Sequence, residues 1–266
     1  MLDKCTTKSW ETSLYEPQQL YYNLMGEKIL TDKNVKSAYY MAKHKQSCDS
    51  PAWDGMTRTI LIDGMEQDQA WSLIRYHILH GPSDCVKRFD IPKSNGKTRP
   101  ISIYPLLDRV AQWCIMGPLS KACGPLLSPI NHAFQKGKSC KTAFEAFPPA
   151  GEAGYVICGD IHSFFDTVSH SLVRACLWSA GIRDSQLLHT INVTLKTPYK
   201  YPKQPKVRPE QGLPQGAPIS PLLANIILAY MDRYFVSLYG DQKLPRMVRY
   251  ADDFVIFCTD PVSYTH

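Results

Sequence analysis

The chain has 266 residues, of which 44% are hydrophobic and 20% charged, and it carries a formal net charge of +6. Such a composition belongs to an ordered globular chain of one large domain or two small ones; it shows no internal repeat and no low-complexity tract. Mild basicity is compatible with an anionic partner such as nucleic acid without requiring one. The nine cysteines, an odd number, form no C-x-x-C pair and no zinc spacing. They read as small buried hydrophobes in a reducing compartment. His77-x-x-His80 reads as helical surface rather than a metal site. With no apolar run of membrane-spanning length and no signal core after Met1, a cytoplasmic protein without membrane contact is expected.

In chain order, the stretch from about Tyr15 to Lys45 reads as helical, interrupted at Gly26. A breaker-rich turn follows over Ser50-Pro51-Ala52-Trp53-Asp54-Gly55, then a helix from Gln67 to about Leu79 that Gly81-Pro82 stops. Val86 to Ile103 reads as a β-hairpin around Lys93-Ser94-Asn95-Gly96-Lys97, where Asn-Gly suits positive φ. Its prolines restrict it to a sheet edge or an exposed ribbon. Lys93, Lys97 and Arg99 near the tip suit an anionic ligand such as a triphosphate. A helix is expected over Leu106 to Met116. The run His132-Ala133-Phe134-Gln135-Lys136-Gly137-Lys138-Ser139 lacks the first glycine of a Walker loop, which excludes that NTPase reading.

Tyr155 to Asp160 reads as a buried strand ending in a carboxylate, followed by Ile161-His162-Ser163-Phe164-Phe165-Asp166 and a helix that Ser169 caps. A strand holds its terminal Asp still while the next turn exposes backbone groups, which suits a metal ligand; a plain turn or cap role is the alternative. Leu187 to Leu195 is expected to be helical, and Thr197 to Arg208 to be an exposed basic loop or ribbon. Gln211-Gly212-Leu213-Pro214-Gln215-Gly216-Ala217-Pro218 is a rigid lead into an amphipathic helix beginning near Ser220-Pro221. Finally, Met247 to Phe257 reads as two antiparallel strands with Asp252 and Asp253 at the tip. Adjacent carboxylates repel. Either they are a turn that uses Asp-Asp, or a divalent cation sits between them and another carboxylate.

These pieces, in this order, resemble a reverse transcriptase of the group II intron-like bacterial branch. The resemblance runs from about Trp53 to Phe257. It rests on Trp53-Asp54-Gly55-Met56-Thr57, Ile91-Pro92-Lys93 with Gly96-Lys97-Thr98-Arg99-Pro100-Ile101, and Ala133-Phe134-Gln135-Lys136-Gly137-Lys138-Ser139. It continues through Asp160-Ile161-His162-Ser163-Phe164-Phe165-Asp166, Leu213-Pro214-Gln215-Gly216-Ala217-Pro218-Ile219-Ser220-Pro221-Leu222-Leu223-Ala224-Asn225 and Tyr250-Ala251-Asp252-Asp253.

The resemblance implies an RNA-directed DNA polymerase that adds dNTPs to a primer 3′-hydroxyl on an RNA template. It makes Asp160, Asp252 and Asp253 catalytic, with Asp253 the more auxiliary, and gives them two Mg²⁺ ions, or Mn²⁺, helped by the Ile161 carbonyl. Substrate contacts fall to Lys93, Lys97 and Arg99 on the triphosphate and to the backbone of Ile161, His162, Ser163, Phe164 and Phe165. The Phe165 ring would exclude a 2′-hydroxyl, though one of Phe164 and Phe165 must be core. Gln215 and Gly216 lie beside the templating pair. Tyr-Ala-Asp-Asp and Phe165 argue against an RNA-synthesising relative.

The implied fold is α+β: a split βαβ palm sheet backed by helices, with fingers and a helical N-terminal extension. The expected division is 1–85 helical N-terminal extension and fingers, 86–150 fingers, and 151–266 incomplete palm with a fingers-like insertion around 196–218. Ala217 replaces a glycine common in intron-encoded members. Thirteen residues follow Asp253, so an incomplete palm without a thumb is expected. The alternative function is a non-processive remnant or partner subunit that binds nucleic acid without catalysis on its own. Implied partners are the RNA template and a DNA or RNA primer, with a noncoding or intron RNA and a thumb-supplying chain as further candidates.

Overall fold

The computed structural model describes residues 16–49, 52–92, 96, 98–239 and 244–259. A π-helical turn, Met25–Ile29, leads into α1 (Asp32–His44), α2 (Arg58–Ile62) and α3 (Gln67–His80). The hairpin β1 (Val86–Pro92) and β2 (Thr98–Ile103) precedes α4 (Leu106–Ala122) and the short α5 (Cys140–Glu145). Then come β3 (Tyr155–Asp160), α6 (Phe164–Thr167), α7 (His170–Ser179), α8 (Ser185–Leu195) and the two-residue β4 (Tyr199–Lys200). The long α9 (Ser220–Tyr239) and the hairpin β5 (Arg246–Tyr250) and β6 (Asp253–Cys258) complete the order.

Helix α4 is buried on every side from Leu106 to Ile115, as a helix at the centre of a core must be. Its polar members are partnered: Asp108 accepts from the Ser83 amide at 2.9 Å and pairs with the His77 ring, and Arg109 Nη1 donates to the Ser47 carbonyl at 2.7 Å. His77 is thus a half-buried partner of a core carboxylate, not plain surface. Helices α7 and α8 start at the side-chain caps Ser169 and Asp184. The second oxygen of Asp184 accepts from the Met25 amide at 2.7 Å and ties the N-terminal turn to α8.

That N-terminal stretch departs from the expected helix. Tyr21 pairs as a strand with the backbone around Ile182, donating to the Gly181 carbonyl and accepting from the Arg183 amide. Tertiary pairing therefore takes the backbone before residue 24 out of the helix; helical structure starts with the π-helical turn Met25–Ile29, breaks at the extended Thr31 and resumes at Asp32.

Two three-stranded sheets form among the described residues, β2-β1-β4 and β3-β6-β5. In the first, β1 runs antiparallel to β2 and parallel to β4. Pro100 lies on the edge strand β2 and Pro92 ends β1, where a missing amide does least harm. In the second, β6 is antiparallel to both neighbours, so β3 and β5 are parallel and are joined through α6–α9 with β6 between them. That is a split βαβ arrangement. The mixed α+β architecture agrees with the expected palm-like sheet backed by helices.

Among the described cysteines, Cys48, Cys114, Cys123, Cys176 and Cys258 are buried and none is disulfide-bonded. Burial pushes the Cys114 and Cys123 thiols up to about 12, so they stay protonated and inert. No helix among the described residues is long and apolar enough to cross a membrane.

Candidate active site

The strand pattern puts the acidic residues at one end of one sheet. Tyr250 and Asp253 close the β5–β6 hairpin, leaving Ala251 and Asp252 as a two-residue turn. Asp253 stands directly opposite Asp160 on β3. Directly opposed residues share a face, with Cβ atoms roughly 5 Å apart. The Ile161 amide, one residue past Asp160, donates to the Asp252 carbonyl at 3.3 Å and clips the turn to the end of β3. Three carboxylates from two separated stretches thus lie at one end of the sheet.

Asp160 and Asp253 are exposed and Asp252 is half-buried. Asp253 also lines a small apolar hollow with Cys140, Phe144 and Val255. That partial loss of water, followed by the charges of Asp252 and Asp160, holds its carboxyl above the ordinary carboxylate range. Repulsion of this kind is what a divalent cation relieves. Among the described residues, no three His, Cys, Asp or Glu side chains form a ready-made metal cage. The all-oxygen donor set nevertheless suits Mg²⁺, which takes one or two carboxylates and completes its shell with water and substrate phosphates.

The segment after Asp160 separates its two phenylalanines. Ser163 takes a left-handed conformation (φ 50°) and turns the chain into α6. Phe164 is buried at 6% exposure, whereas Phe165 is half-buried and lines a cavity of about 340 Å³ with mixed polar and apolar walls. Phe164 is therefore the core residue of the pair. Ile161 and Phe164 spend their amides on the Asp252 and Ile161 carbonyls, so the expected run of amides toward an anion is shorter than five. His162 and Ser163 are exposed.

The same cavity is bordered by Arg88, Ser102, Tyr104, Arg208 and Gln215. The Gln215 carbonyl accepts from the Ser102 amide at 2.8 Å, and Gly216 lies flat against the Ser102 backbone. Gly216 does allow a close backbone approach, and the neighbour it admits here is β2. Arg99 is exposed on β2 opposite Ile91; Lys93 and Lys97 lie outside the described residues. In the second basic run, Lys206 pairs with Asp84 and Lys200 lies over the Trp53 ring.

Two features were not read from the sequence. Arg88 stacks 4.1 Å from the Tyr199 ring centroid with its Nε buried and without a partner. Arg249 and Asp232 form an ion pair that is fully enclosed on both sides. The available signal was weak: Arg249 is one of two arginines on β5, and Asp232 is an acidic residue on an apolar helix stripe.

Behind Phe165, the buried His170 ring donates from Nε2 to the Gly212 carbonyl at 3.0 Å. Burial, then Lys196, hold its pKa below the usual histidine value despite that bond. The sign follows: above an unfolded value of about 6.5 the ring is neutral in both states, and below it the unfolded chain takes up the proton first. Stability should therefore fall as pH drops from about 6.5 through the lower folded pKa, by at most about 1.4 kcal/mol per pH unit for this one site. Urea unfolding across that range should show a shallower decline in His170→Gln than in the wild type; identical slopes would remove the assignment.

Residues 91–265 match the family described as reverse transcriptase (RNA-dependent DNA polymerase). Among curated relatives, Protein YkfC of Escherichia coli (strain K12) is 30% identical over 202 residues, covering 73% of this chain and 52% of that protein. The group II intron-encoded protein LtrA of Lactococcus lactis subsp. cremoris is 31% identical over 159 residues, covering 58% of this chain and 26% of that protein. The chain thus spans about half of one relative and about a quarter of the other. A solved "Partial Cas6-RT-Cas1--Cas2 complex" matches in fold over 87% of this chain and 38% of that one, with a TM-score of 0.51 at 24% identity. With the matched stretch taking in both the Asp160 strand and the Asp252–Asp253 hairpin, the chain belongs to the reverse transcriptase family, in its group II intron-like branch.

Proposed function

We propose that this site performs RNA-directed DNA synthesis: transfer of a dNMP unit from a dNTP to the 3′-hydroxyl of a primer paired to RNA. The convergence of Asp160, Asp252 and Asp253 at one sheet end carries the reading. Two bound Mg²⁺ ions would activate the hydroxyl and neutralise the departing pyrophosphate. Asp160, Asp252, Asp253 and the Ile161 carbonyl are the groups that would hold them. The protein's own task is then placement. Arg99, with Lys93 and Lys97, takes the triphosphate, and the exposed backbone at His162 and Ser163 borders it.

Phe165 lies under the incoming sugar, where a ring leaves no room for a 2′-hydroxyl. Gln215 and Gly216 line the nucleotide side and tie it to β2. In this reading residues 86–150 act as fingers and 151–266 as palm, with 1–85 an extension.

Primer extension on an RNA template with Mg²⁺ and dNTPs tests the reading. Extension by the wild type and none by Asp252→Asn is expected. Equal traces from both would favour the second reading, a nucleic-acid-binding fragment that acts only with a further polypeptide segment. Phe165→Ala should raise ribonucleotide incorporation relative to dNTPs by about tenfold or more, the scale set by losing a single steric contact. An active variant with unchanged dNTP preference would end the gate assignment.

A further inference from the structure

The buried pair of Arg249 and Asp232 calls for an explanation other than stability. Arg249 Nε donates to Asp232 Oδ1 at 2.7 Å and Nη2 to Oδ2 at 2.6 Å, with both side chains wholly enclosed. Taking two charges out of water costs about as much as their attraction returns, and an apolar pair of similar volume often packs as well. What the charges add is direction. The third arm, Nη1, donates to the Ala251 carbonyl at 2.7 Å.

Ala251 is the first residue of the two-residue turn and sits at φ 59°, a left-handed conformation that an alanine side chain disfavours. The next residue is Asp252. Arg249 is itself fixed in place: its amide donates to the Ile130 carbonyl at 3.0 Å and its carbonyl accepts from the His132 amide at 2.8 Å. Seven residues before Asp232 on α9, Asn225 donates to the Ala133 carbonyl at 2.9 Å and secures the same loop. Helix α9 begins just after the Gln215-Gly216 loop. The guanidinium therefore connects the helix leaving that loop to the turn bearing the carboxylate.

We propose that Arg249 and Asp232 are positioning residues: the buried pair holds the Ala251 carbonyl, keeps the strained turn in its left-handed form, and so aims Asp252 toward Asp160 for cation binding. The inference rests on the polymerase reading for its reaction, while its effect on cation binding can be measured independently.

The test compares the wild type with the apolar pair Asp232→Leu/Arg249→Met and with Arg249→Lys. Mn²⁺ binding is followed by the loss of the free-ion paramagnetic resonance signal, folding by circular dichroism and melting, and catalysis by primer extension. The apolar pair should fold, bind Mn²⁺ about tenfold more weakly and lose about ten- to a hundredfold in kcat, the scale of losing a group that orients a ligand. KM for dNTP should move by no more than about twofold, since no substrate contact is removed. Arg249→Lys should fall between, because a single ammonium nitrogen lacks the rigid fork that meets both carboxylate oxygens and the carbonyl from three separate nitrogens.

Adding Ala251→Gly to Arg249→Lys should restore part of the Mn²⁺ affinity, since glycine enters the left-handed turn freely. A mere packing defect would not be rescued in this way, and the comparison holds even if the apolar pair fails to fold. Wild-type Mn²⁺ affinity in a folded apolar pair overturns the proposal, as does the absence of rescue or a wild type that binds no Mn²⁺. If the wild type binds Mn²⁺ through Asp252, the variants weaken it as described, and no primer is extended, positioning stands and the polymerase reading fails.

Discussion

Asp252→Asn should lower kcat for primer extension by about a thousandfold or more, a barrier increase of about 4 kcal/mol, with little change in stability. The two halves of that expectation come from different atoms. The Asp252 carbonyl accepts from the Ile161 amide and helps fix the turn, and asparagine keeps that carbonyl. The carboxylate is one of three like charges at this sheet end, and after partial burial its charge is the next cause that raises the Asp253 pKa. Removing one charge relieves repulsion, so the melting temperature should hold or rise slightly while activity collapses.

An amide oxygen is a much weaker ligand for a hard cation than a carboxylate. Asp160→Asn should behave alike. Asp253→Asn should lose less if Asp253 is the more auxiliary ligand. Single-turnover extension at saturating Mg²⁺, alongside a thermal melt, separates the contributions. A variant that melts early and loses activity in proportion would show a structural carboxylate instead.

Much of this site was legible in the sequence because its parts are local. A β-prone run ending in Asp160, and two such runs meeting at Ala251-Asp252, describe strand ends, and strand ends hold side chains still. The helix after Ser220-Pro221 was equally plain from its apolar spacing.

What escaped depends on contacts between distant segments. Nothing near Tyr21 foretells that its backbone will pair beside Ile182 and leave the helix. Arg249 is one of two arginines on β5, and nothing local marks it as the enclosed one until α9 brings Asp232 against it. The ambiguity between Phe164 and Phe165 had the same origin. Local spacing says that one is core, and only the packed fold says that it is Phe164. The Asn-Gly turn expected at the hairpin tip lies partly outside the described residues; Gly96 is described, and its φ of 77° is in keeping with that turn.

Gly216→Ala should cost about 3 kcal/mol or more, the sum of a left-handed backbone penalty and an overpacked contact. Gly216 sits at φ 106°, where a side chain is strained, and an added Cβ would overlap the Ser102 carbonyl. That contact cannot yield cheaply, because Ser102 is in the β1–β2 ladder and its amide donates to Gln215 beside the glycine. Either β2 moves away from the Gln215 loop or the loop shifts, and Phe165 borders the same cavity.

Gly137→Ala is the control: Gly137 has φ 77° with nothing within 4 Å of an added Cβ, so it should show the backbone penalty alone, about 1–2 kcal/mol. The difference between the two variants in urea unfolding isolates the contact with Ser102. If Gly216→Ala still folds at low temperature, its KM for dNTP should rise more than its kcat falls, because in the proposed function the wall that moves is the one beside the nucleotide, whereas the carboxylates lie on the other sheet. Equal costs for the two glycines would mean that β2 is not seated on this loop, and the contact that holds the β1–β2 hairpin would have to be sought elsewhere.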